Sequence, residues 1–133
     1  MPVEFSATYE ATPQSVAVVR DQMAALARDC GLGEQEIADV KLAVSEAATN
    51  ALLHAYRDRE PGTIRVEATI EGGELVIAVK DDGVGMSPRH DSPGMGLGLP
   101  VIASVAKRLE VIPDEPGTRL RMAFTCPRAA ATA

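Results

Sequence analysis

Apolar and polar residues alternate one by one in four stretches of the chain. Val3, Phe5, Ala7 and Tyr9 alternate with Glu4, Ser6, Thr8 and Glu10. Ile64, Val66, Ala68 and Ile70 alternate with Arg65, Glu67, Thr69 and Glu71. Leu75, Ile77, Val79 and Asp81 share one face of a third stretch, and Thr118, Leu120, Met122 and Phe124 one face of a fourth, opposite Arg119 and Arg121. A period of two predicts half-buried strands. Between the strands the period lengthens to that of a helix. Thr12-Pro13 opens the first helix, with Thr12 as N-cap and Pro13 at the first position. It runs to about Cys30 and stops at Gly31-Leu32-Gly33. The second helix starts near Glu34 and reaches about Tyr56. A third runs from about Leu97 to Arg108, followed by a short strand at Leu109–Ile112. Pro61-Gly62 and Pro116-Gly117 are turns, Gly72-Gly73 makes a hairpin, and Met86–Pro93 is a loop.

The strands are polar on one side, so the sheet has one wet face. A doubly wound fold needs strands that are apolar on both. The expectation is an α/β two-layer sandwich, its sheet mixed but mainly antiparallel, with three helices on one face. No repeat or linker splits the chain. Residues 1–126 read as one domain and residues 127–133 as a disordered tail.

The second helix carries an anomaly. Glu46, Asn50 and His54 stand four residues apart in KLAVSEAATNALLHAY, so they stack turn over turn. At about 100° per residue, Ile37, Val40, Val44, Ala47, Ala48, Ala51 and Ala55 form an apolar face, with Leu42 and Leu53 nearly opposite. The polar stripe lies between them, lined by Ala43 and Ala47. An unpaired polar group out of water costs a few kcal/mol, about 2–7 by reference state. Either the stripe faces water, as on an ordinary amphipathic helix, or it meets a polar ligand.

Composition narrows the ligand. The 133 residues suffice for one domain with a real core. The net charge of −6 argues against nucleic acid. No apolar stretch is long enough to cross a bilayer, and there is no secretory leader, so a cytoplasmic protein off the membrane is expected. Cys30 and Cys126 lack metal-ligand spacing. Two free thiols are expected, with one disulfide as the alternative.

Two glycine segments follow. Asp81-Asp82-Gly83-Val84-Gly85 sits at a strand's end, and Gly94-Met95-Gly96-Leu97-Gly98-Leu99 opens a helix. Glycine lets the backbone come close to a ligand, and N–H groups at a helix start attract phosphate. The strand–GxGxxG–helix order of a dinucleotide fold is absent, because Gly94, Gly96 and Gly98 follow a loop.

Taken in order, ExxxNxxxHAY, DxGxG, GxGLGL and a closing GT resemble the ATP-binding boxes of the GHKL superfamily, which includes gyrase, histidine kinases and MutL. The compact SEAATNALLHAY form is most similar to the anti-sigma-factor serine kinases. The resemblance covers roughly residues 3–125. It implies the Bergerat ATP-binding fold, with ATP and Mg²⁺ as cofactors. Asn50 would hold Mg²⁺ through its side-chain oxygen. Asp81 would accept from the adenine amine, and Thr118 would support the base through water. Gly83 and Gly85 would let the chain pass close to the base. Gly94, Gly96 and Gly98, with Leu97 among them, would place N–H groups on the phosphates. Glu46 would be the base that orients or deprotonates a serine hydroxyl. Asp81 and Thr118 also have plain structural readings, as a turn-capping carboxylate and a β-branched strand residue. His54 reads best as a helix C-terminal cap.

The chain departs from that pattern in one place. The loop between Gly85 and Gly94 is short, holds only Arg89 and His90 as basic groups, and ends in Pro93 where an Arg or Lys is often useful. Arg89 is the candidate for γ-phosphate contact. Arg20 reads as a solvated helix charge that could meet a partner. The function implied is a serine kinase that binds a sigma factor and phosphorylates its anti-anti-sigma antagonist, as a homodimer. The alternative is an ATP-binding module that transfers no phosphate. A histidine-kinase catalytic domain is disfavoured because no helix precedes Val3 to carry a phospho-accepting histidine. A topoisomerase-type ATPase would need a second domain.

Overall fold

A computed structural model describes residues 3–55, 62–81, 95–113 and 117–128. Strand β1 (Val3–Glu10) is followed by helices α1 (Pro13–Asp29) and α2 (Glu34–Ala55). A hairpin of β2 (Thr63–Glu71) and β3 (Glu74–Asp81) comes next. Helix α3 (Met95–Val105), β4 (Arg108–Pro113) and β5 (Thr118–Thr125) complete the order.

Local chemistry sets these limits. The Thr12 hydroxyl accepts the Ser15 N–H at 3.3 Å, and Pro13 occupies the first turn of α1. At its far end Cys30 closes α1, and Gly31 turns the chain at φ 91°, a region that disfavours any side chain. The Glu36 carboxylate accepts the Gly33 N–H at 2.7 Å and caps the start of α2. Gly72 and Gly73, at φ 55° and 78°, make the two-residue hairpin turn.

The sheet runs β1-β2-β3-β5-β4. The expected two-layer sandwich is present, but every pairing is antiparallel, so the sheet is not mixed. The reason is topological. The β3–α3–β4 crossover does leave β3 and β4 running the same way. Strand β5 then inserts between them and pairs antiparallel with both.

One face of the sheet carries the core. Ile64, Val66, Leu75, Ile77, Val79, Leu120 and Met122 lie beneath α2, whose Val40, Ala43, Val44 and Ala47 are fully buried. Helices α1 and α3 flank α2. The other face is polar, with Arg65–Glu67, Arg121–Glu71 and Arg121–Glu110 ion pairs. Val76 and Ala123 are nonetheless buried there. Arg108 stands opposite Ala123 on that face and reaches across to Glu74.

Two expected boundaries shift. Helix α3 begins at Met95 and ends at Val105, three residues before Arg108. The Ala106 N–H still closes on Ile102 O, but the Lys107 N–H turns to Ala123 O at 2.8 Å. Arg108 therefore opens β4 instead of ending a helix. At the C-terminus the Cys126 N–H donates to Gly73 O, and the Arg128 N–H to Cys30 O at 3.1 Å. The chain is thus still anchored two residues beyond Cys126; residues 129–133 lie outside the described part. Both cysteines are buried thiols that form no disulfide, as expected.

Glu74 ties the hairpin to the α3–β4 junction. Arg108 meets it with both terminal nitrogens, at 2.8 and 3.2 Å, and Lys107 Nζ lies 3.2 Å away. The Arg108 hydrogen bond, then that of Lys107, lowers the carboxyl from 4.5 to about 2. A depressed carboxyl stabilises the fold above its unfolded value and loses that contribution as pH falls towards the folded one. Glu74→Gln should therefore lower the melting midpoint at neutral pH and flatten its fall between pH 4.5 and 2. Melting curves of both proteins across that window check this; parallel curves would mean that the clamp does not form.

Candidate functional site

Three polar side chains are buried among the described residues: Asn50, Asp81 and Thr118, each 4% exposed. Burial of polar groups is expensive, so their positions need a cause. Asn50 belongs to the polar stripe of α2, and the family resemblance implies a ligand-binding role for all three.

The fold brings them to one end of the helical layer. Asp81 ends β3 on the face of Leu75, Ile77 and Val79, which is the core side. Thr118 begins β5 on the face of Leu120 and Met122. The β3–β5 register pairs Lys80 with Arg119, and the next step along it sets Asp81 beside Thr118. Both strands lie under α2. A cleft of about 200 Å³ marks the opposite end of the layer. There Leu32 and the first turns of α2 (Glu36, Asp39) meet the end of α3 (Val105), Lys107 and the end of β5 (Phe124). The C-terminal half of α2, the start of α3 and the start of β5 therefore share the end that holds the buried trio.

Asn50 is packed against α3. A β-carbon built on Gly98 would lie 2.8 Å from Asn50 Nδ2 and 3.2 Å from Oδ1. Asn50 Nδ2 is fully buried and has no hydrogen-bond partner. An amide left this way costs about 1–3 kcal/mol. A half-turn of the side chain exchanges its oxygen and nitrogen, so it can offer either a donor or an acceptor. Glu46, one turn earlier, is only half-buried. The stripe thus grades from the surface at Glu46 to the interior at Asn50. Leu42 and Leu53, expected opposite the apolar face, are 44% and 49% exposed.

Gly117, the glycine of the closing GT pair, lies close against Asp81. Gly117 stands at φ 96°, and a β-carbon on it would fall 1.9 Å from Asp81 O and 3.2 Å from Oδ1. No side chain fits there. The Pro116-Gly117 pair was legible as a turn, but nothing in the sequence says that the turn closes on Asp81.

Helix α3 changes the reading of its glycines. The first N–H groups of a helix point outward without partners, and the fourth helical residue is the first to bond inward. With α3 starting at Met95, the outward donors include Met95, Gly96 and Leu97. Gly98 stands at the fourth position of α3 and is buried against Asn50. Gly83, Gly85, Arg89, His90, Pro93 and Gly94 lie outside the described residues, as does Tyr56.

A divalent cation fits this set in one way. Among the described residues no group of three His, Cys, Asp or Glu side chains could hold a metal. Asn50 can supply one oxygen, and the remainder would come from phosphate and water. That is how Mg²⁺ is held beside a nucleotide, where it keeps several waters.

The chain matches known proteins over most of its length. It is 37% identical over 121 residues to the anti-sigma F factor of Clostridium botulinum (strain Eklund 17B / Type B), covering 82% of this chain and 85% of that protein. It is 39% identical over 100 residues to the anti-sigma F factor of Clostridium novyi (strain NT), covering 66% and 70%. Among solved structures it is similar to the RsbU and RsbW domains of Rv1364c from Mycobacterium tuberculosis. There the TM-score is 0.71 at 25% identity, over 94% of this chain and 32% of that one. A blue-light activated histidine kinase domain from Erythrobacter litoralis shares the fold, with a TM-score of 0.61 at 23% identity over 87% of this chain and 63% of that one. The family described as histidine kinase-like ATPase domain matches residues 9–124. With the buried trio set between that family's helix and sheet layers, the chain belongs to the histidine kinase-like ATPase domain family.

Proposed function

We propose that the protein is an ATP-dependent anti-sigma factor and protein-serine kinase. It binds a sigma factor and phosphorylates a serine of an anti-anti-sigma factor. The observation that carries this reading is the buried trio: Asn50, Asp81 and Thr118 are the buried polar residues of the described fold, gathered at one end. Relatives named as anti-sigma F factors support the partner class. So does the likeness to a chain that joins an RsbU and an RsbW domain.

In this reading Asp81 accepts the adenine amine, with Thr118 beside it, and Asn50 gives its oxygen to Mg²⁺. Gly83, Gly85 and Gly94 complete the nucleotide contacts, and the outward N–H groups at Gly96 and Leu97 meet the phosphates. Glu46 sits at the rim, one turn from the cation, where a partner's serine hydroxyl can reach it. The site works by positioning and charge neutralisation, which phosphoryl transfer needs more than covalent help. The protein acts in the cytoplasm as a homodimer; among the described residues no helix is long and apolar enough to cross a membrane.

A second reading rests on the segment before α3. Pro93 stands before the glycine run, and only Arg89 and His90 are basic in the preceding loop. A site with so few γ-phosphate contacts suits a module that uses ATP to set its shape and transfers nothing.

Titration calorimetry tests the nucleotide. ATP with Mg²⁺ should bind more tightly than GTP, and Asp81→Asn should cost about 1.5–3 kcal/mol of that affinity, the worth of a hydrogen bond to a charged group. Equal affinity for ATP and GTP would remove the adenine assignment.

Transfer separates the two readings. Glu46→Gln keeps the size and hydrogen bonding of the side chain but removes the basic carboxylate. ATP affinity should hardly change, while label passing from ATP to the antagonist's serine should slow roughly 10²–10⁴-fold. A wild-type protein that binds the antagonist but never labels it supports the module. Transfer unchanged by the substitution would keep the kinase and release Glu46 from the mechanism.

A further inference from the structure

Gly98 has no backbone reason to be glycine. It lies inside α3, and its φ is outside the positive range. Any residue adopts that conformation, and glycine is a poor choice for it. The reason is space. A β-carbon there would stand 2.8 Å from Nδ2, 3.2 Å from Oδ1 and 3.3 Å from Cγ of Asn50. Real β-carbons essentially never approach within 3.0 Å. Three atoms of one amide occupy the space that a β-carbon would need.

Asn50 has little room to yield. It is buried, and its neighbours along the helix, Ala47 and Ala51, are buried too, so an amide displaced by a β-carbon would have to move within packed surroundings.

We propose that Gly98 is a positioning residue for Asn50: by having no side chain it lets α3 close on α2 and fixes where the Asn50 amide stands. The consequence for cation binding rests on the reading of Asn50 given above, but the steric coupling does not.

Two measurements keep these separate. The first needs no nucleotide. Melting midpoints are compared for the wild type, Gly98→Ala, Asn50→Ala and the double variant. Gly98→Ala should lower the midpoint by several degrees in the wild type. In the Asn50→Ala background it should raise it, because the amide is gone and alanine is the better helix former. Should Asn50→Ala not fold, Asn50→Ser replaces it in the same cycle. A Gly98→Ala effect of the same sign and size in both backgrounds would overturn the proposal.

The second measurement titrates ATP into wild type and Gly98→Ala, with Mg²⁺ and with a chelator. Gly98→Ala should lose tenfold or more of the Mg²⁺-dependent affinity while the metal-free affinity stays near wild type. Equal loss in both conditions would overturn the positioning role and leave Gly98 as a packing residue. A wild type that binds no ATP would instead defeat the functional reading, with the melting cycle still deciding the steric one.

Discussion

A side-chain amide buried without a partner is the constraint around which this fold is arranged. Asn50 Nδ2 is sealed between α2 and α3 with nothing to bond. Such a group costs free energy in the empty fold. It can be kept only where the surrounding packing is sound. The structure provides that packing in the fully buried alanine and valine face of α2, set on a core of Ile64, Val66, Ile77 and Val79. It also requires a small residue across from it, and α3 supplies Gly98. Stability is placed in the sheet and the apolar face, and the cost is confined to one turn.

The order of the strands makes the second half of the site. Were β4 to pair with β3 directly, the crossover would give an ordinary parallel pair, and Thr118 would sit elsewhere. With β5 inserted, the end of β3 and the start of β5 become neighbours. Asp81 and Thr118 are brought together by this one topological choice. Gly117 then lets the turn before β5 close on the Asp81 backbone, at a φ that other residues rarely adopt. Two glycines thus serve the site in unlike ways. Gly117 supplies a backbone conformation and a close approach, whereas Gly98 supplies only room.

Much of this was legible from residue order, and the remainder was not, for physical reasons. Period-two alternation marked β1, β2, β3 and β5 with the correct face inward. It could do so because one-sided burial imposes that pattern. The spacing of Glu46 and Asn50 set them on one side of α2. The end of α3 was misjudged by three residues because Ala106 and Lys107 are good helix formers; what stops the helix is the Lys107 N–H turning to Ala123 O, a contact between residues far apart in sequence. The sheet's purely antiparallel pairing was hidden for the same reason. The roles of Gly98 and Gly117 are likewise tertiary. A glycine in a motif shows that a side chain is missing, but not which atoms occupy the space.

The burial gradient along α2 bears on what the site is for. On the proposed reading, a group that meets only a nucleotide and its cation can lie fully inside, and Asn50 is buried. A group that meets a hydroxyl on another protein has to stand where that protein can reach. Glu46 is one helical turn nearer the surface and only half-buried. A site that held ATP only to stiffen the domain would gain nothing from a carboxylate at that rim, and would bear its repulsion with the phosphates. The stripe therefore fits transfer to an external acceptor better than ligand binding alone. On the proposed kinase reading, the sparse basic charge before α3 would make transfer slow, because the γ-phosphate would seldom be properly held.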